Sequence, residues 1–255
     1  MGDYNRYFLE LSYNGTSFHG WQIQPNAVTV QELLDKALST LLRQKTETVG
    51  CGRTDAGVHA TQFFAHFDVQ RDYDKPQAGV VEPAFLNSLN ALLPFEIAVR
   101  RAFKVGQEAH ARFDASLRSY QYHIHFVKDP FRHGFSWHMR DQLNVARMNE
   151  AARILFEYTD FSCFSKSHTQ VFTNNCKIFR AEWEETSRGL VFHISADRFL
   201  RNMVRAIVGT LTMVGKGTIS PRDLHSIITS KNRSNAGTSV PACGLYLTEV
   251  RYPYV

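Results

Sequence analysis

The sequence has few cysteines and no long apolar run, and both absences narrow the class of protein. The four cysteines among 255 residues form no C-x-x-C pair, which excludes the common zinc and dithiol redox motifs. No stretch of about 18 apolar residues occurs, and the N-terminus lacks the apolar core of a signal peptide. We therefore expect reduced thiols and a soluble, cytoplasmic protein with no membrane segment.

A metal-ligand set is also lacking. His123 and His125 alternate along a predicted strand and share one face of it, but two histidines do not complete a metal site. We expect no bound metal.

Positive charge is concentrated in the second part of the chain. Residues 1–105 hold ten Lys and Arg against eleven Asp and Glu, whereas residues 106–255 hold nineteen against thirteen. A basic half favours a polyanionic partner such as nucleic acid, although a charge of this size also fits an ordinary soluble surface.

Periodicity in residues 1–105 predicts the order β-α-β-β-α-β. Thr29 to Glu32 form a capping box, and apolar residues at helical spacing continue it to Leu42. This order is typical of a four-stranded antiparallel sheet with both helices on one face, as in ferredoxin-like domains. The predicted strands cover residues 7–13, 46–49, 63–69 and 97–105, and the second helix covers 85–93.

Residues 106–255 read as a second, embellished unit of the same order. The predicted strands cover 118–127, 161–164, 176–184, 190–196 and 245–252, and the predicted helices cover 145–158, 199–214 and a segment capped by Ser220. The sequence therefore predicts an α+β fold with two domains, 1–105 and 106–255, whose antiparallel sheets lie side by side and form an RNA-sized cleft. Residues 70–79 and 166–175 are polar and are predicted to be mobile loops.

A glycine-rich segment between two predicted strands is the main candidate for chemistry. GCGRTDAGVHA at residues 50–60 places Asp55 in a strand-to-strand loop. Arg53, two residues earlier, favours the ionised carboxylate that a nucleophile or electrostatic stabiliser needs. A surface Asx turn would explain the same residues without any catalytic role. His59 is expected to be a buried, hydrogen-bonded imidazole.

Five separated strings occur in the order found in one enzyme family. They are YNGTSFHGWQIQ with TVQE at 13–32, GCGRTDAGVHA with TQFFAHF at 50–67, AHARF with RSYQY at 109–122, FLRNMVRAIVG at 199–209 and PACGLYL at 241–247. Together they resemble the TruA family of tRNA pseudouridine synthases over nearly the whole chain. The segments around Cys243 and Cys176 depart modestly from the family pattern.

The resemblance implies a reaction, a substrate and an assembly. The family converts uridines at positions 38, 39 and 40, in the anticodon arm of tRNA, into pseudouridine. The reaction needs no redox step, phosphate donor or metal, so we expect no cofactor. The resemblance also implies a homodimer in which one subunit binds the body of the tRNA while the other acts.

Site residues follow from the matched positions. The resemblance makes Asp55 the catalytic carboxylate, Tyr120 the ring that stacks on the target base, and Leu245 a wall of the uracil pocket. It pairs Arg205 with Asp55. Arg53 is a candidate to replace a flipped-out base in the stack. The predicted RNA contacts are Arg118, Lys166, His168, Arg198 and Arg201, with Arg198, Arg201 and Arg205 forming a stripe on one helix. Tyr122 is expected to be a core residue.

Three other interpretations stay open at this point. A non-catalytic RNA-recognition module shares the β-α-β-β-α-β order, but its paired-aromatic signature is absent. A glycoside hydrolase would need two acidic residues around one bond, and the Asp55 loop offers one. A pseudouridine synthase acting on another RNA site would share the same motifs.

Overall fold

The structure, a computed structural model, describes residues 4–70, 80–166 and 173–255. It is an α+β fold whose strands pair mostly antiparallel, as predicted. Most of the two predicted loops, 70–79 and 166–175, lies outside the described residues, and so does His168. No helix in the described ranges is long and apolar enough to cross a membrane.

The first of two compact units extends to Ala115 and includes Leu247–Val255. Its elements are β1 (Tyr4–Tyr13), α1 (Val30–Leu42), β2 (Val49–Gly50), β3 (His59–Gln70), α2 (Pro83–Leu92) and β4 (Ile97–Val105). β1 lies between β3 and β4 and is antiparallel to both, and β2 pairs with β3. The β-α-β-β-α-β order predicted for this part of the chain is therefore confirmed.

Residues 106–115 belong to this first unit because hydrogen bonds anchor them there. The backbone N–H of Ala111 donates to Nδ1 of buried His66 at 3.1 Å, and its carbonyl accepts from the Tyr252 hydroxyl at 2.6 Å. Burial lowers the pKa of His66 to about 4, which keeps the ring neutral and Nδ1 able to accept. Asp114 accepts from the Tyr254 hydroxyl at 2.8 Å. The contacts thus place 106–115 and the C-terminus with the first unit, whereas the predicted domain boundary follows residue 105.

The start of α1 is as predicted, but the strand after it is shorter. The Thr29 side chain accepts from the backbone N–H of Glu32 at 3.3 Å, which is the expected cap. The strand predicted at 46–49 forms only at Val49–Gly50, because Thr46 and Thr48 bond to the α1 side chains of Ser39 and Asp35 instead of to a strand. Thr48 donates its N–H and its hydroxyl to the buried Asp35 carboxylate, at 2.9 and 2.6 Å. Burial raises the pKa of Asp35 to about 6.

The second compact unit comprises Ser116–Tyr246. Its elements are β5 (Leu117–His125), β6 (Trp137–His138), α3 (Val145–Ile154), β7 (Ile178–Thr186), β8 (Gly189–Ala196), α4 (Met203–Gly215), α5 (Asp223–Thr229) and the start of β9 (Leu245–Arg251). β8 lies between β5 and β7, antiparallel to both, and the unpredicted β6 pairs with β5 in parallel.

Three predictions in this unit are wrong for local reasons. Residues Ser162–Phe164 form a 3-10 turn and not a strand, because the Asp160 carboxylate accepts from the N–H of Ser162; Phe161 and Phe164 are both buried. The helix predicted from 199 begins at Met203, since Asn202 has a left-handed φ of 67°. The helix predicted from the Ser220 cap begins at Asp223, whose carboxylate accepts from the Ser220 N–H at 2.7 Å.

Candidate active site

Asp55 lies on the loop between β2 and β3, as predicted from the sequence. The loop is anchored at its start, where the N–H of buried Cys51 donates to the Phe64 carbonyl at 2.7 Å. It closes as a turn at its end, where the N–H of Val58 donates to the Asp55 carbonyl at 3.1 Å. These hydrogen bonds fix the backbone of the loop. Asp55 itself is half-buried and therefore stays partly accessible to solvent.

A second segment, residues 13–21, holds the backbone on both sides of Asp55. Before it, the Thr54 carbonyl accepts from the N–H of Trp21 at 3.3 Å, and the buried Thr54 and Tyr13 hydroxyls are 2.9 Å apart. After it, the N–H of Gly57 donates to the Phe18 carbonyl at 3.2 Å. Two of the strings that carry the family resemblance therefore form a single structural unit.

Two glycines permit this close approach. Gly20 has a φ of 88°, and a Cβ there would overlap the Thr54 carbonyl oxygen. A Cβ on Gly15 would overlap the carbonyl of Val58. Any larger residue at either position would push the Asp55 loop away. The sequence motifs gave Gly15 and Gly20 no role, although two glycines in one short motif indicate close backbone contact.

Aromatic rings form the floor under the loop. The Trp21 ring stacks on Phe63 with centroids 4.2 Å apart, and Tyr13 packs against Phe63 at 5.6 Å. All three side chains are buried. The loop thus rests on a rigid apolar base, which limits the positions its carboxylate can take.

His59 and Arg53 flank the loop in different environments. His59 is buried, and its Nδ1 accepts from the N–H of Gly15 at 3.1 Å, which confirms the hydrogen-bonded imidazole expected from the sequence. Arg53 is exposed, two residues before Asp55. Its guanidinium is therefore accessible to a ligand.

In the second unit, the two tyrosines of β5 differ as predicted. Tyr120 is half-buried, with its ring edge-on to Phe199 at 5.1 Å. Tyr122 is fully buried, and its hydroxyl donates to the Pro241 carbonyl at 2.8 Å. Burial raises the pKa of the Tyr122 hydroxyl well above its usual range. Tyr122 is thus a core residue, whereas Tyr120 keeps part of its ring accessible.

Arg205 and Leu245 are connected through the segment that precedes β9. The half-buried Arg205, on α4, donates from Nε to the Val240 carbonyl at 2.7 Å, and its own carbonyl accepts from the N–H of Val240 at 3.3 Å. Pro241, the next residue, accepts from Tyr122. Leu245 is buried at the start of β9. The elements that carry Tyr120 and Arg205 therefore meet at residues 240–241, four residues before Leu245.

The predicted stripe of three arginines on one helix is wrong. Only Arg205 lies on α4, because residues 197–202 form a turn before the helix begins. Arg201 is exposed on that turn, and its carbonyl accepts from the N–H of exposed Lys166 at 3.2 Å. Arg198 is half-buried on the same turn.

Arg118 differs from the other predicted RNA contacts because it is buried at the start of β5. Its Nη1 donates to the Asp197 carbonyl at 2.9 Å. Arg118 thus stabilises the turn that presents Arg198 and Arg201.

No group of three or more His, Cys, Asp or Glu side chains within residues 4–70, 80–166 and 173–255 is arranged to hold a metal ion. Of the two strand histidines, His125 is buried against His138 at 5.1 Å, and His123 packs against Tyr246 at 5.0 Å.

Comparison with known proteins connects this geometry to an enzyme family. A family model described as tRNA pseudouridine synthase matches residues 151–253. The chain is 52% identical over 252 residues to tRNA pseudouridine synthase A of Bacteroides fragilis, covering 97% of this chain and 96% of that one. It is 50% identical to the Parabacteroides distasonis protein of the same name, and the match covers 97% of this chain and 96% of that protein. It is 39% identical to tRNA pseudouridine synthase A of Bacillus subtilis, and the match covers 95% of this chain and 97% of that protein. The chain belongs to the TruA family of tRNA pseudouridine synthases.

Proposed function

We propose that this protein isomerises uridine to pseudouridine in tRNA, with Asp55 as the catalytic carboxylate. The observation that carries the proposal is the position of Asp55, half-buried on a loop that residues 13–21 hold from both sides. Its relatives named tRNA pseudouridine synthase A match nearly the whole chain, including both of these segments.

The reaction sets the demands on the site. The bond between N1 of uracil and C1′ of ribose breaks, the base rotates, and C5 of the same base bonds to C1′ while the C5 proton is released and N1 gains one. Atoms balance within the nucleoside, so no redox partner or group donor is consumed. An ionised carboxylate is needed as nucleophile or base. Asp55 supplies it whether the attack is on the ribose or on the uracil.

The other site residues take roles in holding the base. Tyr120 stacks on the uracil, and its hydroxyl is available for proton transfer. Leu245 closes the apolar side of the pocket, so that the freed uracil stays in place while it rotates. The family resemblance pairs Arg205 with Asp55, and we propose that its guanidinium holds that carboxylate in place. Arg53, which is exposed, fills the stack that the flipped-out uridine leaves.

A basic surface holds the RNA. Lys166, Arg198 and Arg201 contact backbone phosphates, and His168, which lies outside the described residues, is a further candidate RNA contact. The buried Arg118 stabilises this surface, because its guanidinium donates a hydrogen bond to the Asp197 carbonyl. Because the contacts are to phosphates, affinity should fall steeply as salt rises and depend more on shape than on base identity.

The substrate assignment is uridines 38, 39 and 40 of the tRNA anticodon arm. Incubating purified protein with total tRNA and mapping every pseudouridine should place new sites in that arm. Unmodified transcripts of one tRNA that has uridine at all three positions provide a defined substrate. Product confined to the T arm, to ribosomal RNA or to one strict sequence would contradict the substrate assignment while leaving the isomerase activity intact.

We propose that the active assembly is a homodimer. A site on one loop of a small sheet cannot by itself hold both the anticodon arm and the elbow of an L-shaped tRNA. The mass measured by analytical ultracentrifugation should therefore be twice the 29.2 kDa of one chain at assay concentrations. Full activity in a preparation that is monomeric at the assay concentration would contradict the dimer.

A further inference from the structure

The turn of residues 197–202, which leads from β8 to α4, is organised by one carboxylate. Oδ1 of Asp197 accepts from the backbone N–H of Lys177 at 2.8 Å and from that of Arg198 at 2.7 Å. The Asp197 N–H donates to the Lys177 carbonyl at 3.2 Å. The Asp197 carbonyl accepts from the Arg118 guanidinium at 2.9 Å. One residue thus joins β5, the segment before β7 and the turn itself.

These hydrogen bonds bring together basic residues from four parts of the chain. Three of them are exposed, Arg198 is half-buried and Arg118 is buried. The full set is Arg118, Lys166, Lys177, Arg198 and Arg201. Lys166 joins it through the bond from its N–H to the Arg201 carbonyl. We call these five residues and Asp197 the Asp197 surface.

The negative charge of Asp197 does not explain why an acidic residue lies among these basic residues. A carboxylate among cations lowers the positive potential, so by charge alone Asp197 would weaken phosphate binding. Its Oδ1 instead accepts two backbone N–H groups, one of them in another segment, which is the geometry by which an Asp side chain fixes a turn. The contribution of Asp197 is therefore the position of its neighbours.

We propose that Asp197 is a positioning residue that holds the Asp197 surface in a shape complementary to tRNA backbone phosphates, and that Lys177 is one of its phosphate contacts. The proposal rests on the proposed function, because it takes tRNA as the ligand. It adds two residues that no motif of the sequence singled out.

Two substitutions separate position from charge. Asp197→Asn removes the charge and keeps an acceptor oxygen at the same reach, whereas Asp197→Glu keeps the charge and displaces the acceptor by one methylene. We expect Asn to leave KM for tRNA within about twofold of wild type and Glu to raise it about tenfold, with kcat at saturating tRNA unchanged in both. The salt slope of log Kobs should become shallower by about 1 for each phosphate contact that Glu displaces.

The opposite pattern would overturn the proposal. If Asp197 acts only through its charge, Asn will bind tRNA more tightly than wild type and Glu will match wild type. Lys177→Ala, which leaves Asp197 intact, should raise KM and reduce the salt slope by about 1. An unchanged salt slope in this variant would show that Lys177 does not contact a phosphate.

A matched control is Asp223→Ala, which removes another carboxylate that accepts a backbone N–H, at the start of α5. It should lower the thermal midpoint without changing KM or the salt slope. Filter binding of each variant keeps this test separate from the proposed function. Wild-type protein that binds tRNA but forms no pseudouridine would contradict the function, and the binding results would still decide the role of Asp197.

Discussion

Replacing Asp55 by asparagine is expected to abolish pseudouridine formation while tRNA binding stays within a few-fold of wild type. The substitution keeps the shape of the side chain and removes the charge that attacks the nucleoside or takes its proton, so turnover should fall by about four orders of magnitude or more. Affinity should change little, because phosphate contacts dominate it. Steady-state kinetics and filter binding on the same preparations measure the two effects separately.

The control for this substitution is Asp141→Asn, the same chemical change on an exposed carboxylate that pairs with Lys216. Surface ion pairs contribute about 1 kcal/mol or less, so this variant should match wild type in both assays. Turnover of the Asp55 variant at more than a small percentage of wild type would rule out Asp55 as the catalytic group. A large loss of tRNA affinity would instead indicate a binding role.

Gly20→Ala is expected to cause the second-largest loss, although this residue has no chemical function. Its φ of 88° costs an L-residue about 1–2 kcal/mol, and the new Cβ would overlap the Thr54 carbonyl next to Asp55. The loop must move to relieve the overlap, and a displacement of about 1 Å at a reacting group costs about a hundredfold in rate. We therefore expect kcat to fall about a hundredfold and the free energy of unfolding to fall by about 2 kcal/mol or more.

Gly106→Ala provides the matched control, because nothing lies within 4 Å of a Cβ at that position. It should change neither kcat nor stability by more than a few tenths of a kcal/mol. Chemical denaturation and single-turnover kinetics distinguish the outcomes. If Gly20→Ala were destabilised but fully active at a temperature where it stays folded, the hold of residues 13–21 on Asp55 would not matter for catalysis.

Local patterns predicted those parts of the fold that local interactions decide. The Thr29 cap and the apolar spacing after it place α1 correctly, and Ile97–Val105 forms the predicted strand. The glycine-rich string placed Asp55 between two strands. The family resemblance supplied the role of Asp55, which the residues alone left open against a surface turn.

The errors occur where polar side chains compete with regular backbone pairing. Asp160 and Asp35 accept backbone N–H groups that a strand would otherwise use, and this converts 161–164 into a turn and shortens β2. Asp197 and the left-handed Asn202 delay the start of α4, so the arginine stripe does not form. The periodicity of apolar residues does not show such side-chain bonds, whether they reach one or two residues along the chain or, as between Asp35 and Thr48, thirteen.

Long-range contacts were also beyond the reach of the sequence patterns. Residues 245–252 are predicted as the closing strand of the second half, yet Tyr252, and Tyr254 after it, donate hydrogen bonds to Ala111 and Asp114 in the first unit. The contact of residues 13–21 with the Asp55 loop was equally hidden, because their strings are about 30 residues apart. Only Gly15 and Gly20 pointed to it.

The most direct test of the account is a single-turnover assay with enzyme in excess over a tRNA transcript, in which all substrate is bound before nucleosides are analysed. We expect wild-type protein to convert anticodon-arm uridine to pseudouridine in one exponential phase. Asp55→Asn, with the same tRNA fully bound, should leave that uridine unchanged over the same time. Pseudouridine formed by the bound Asp55→Asn variant at a rate near wild type would contradict the central claim.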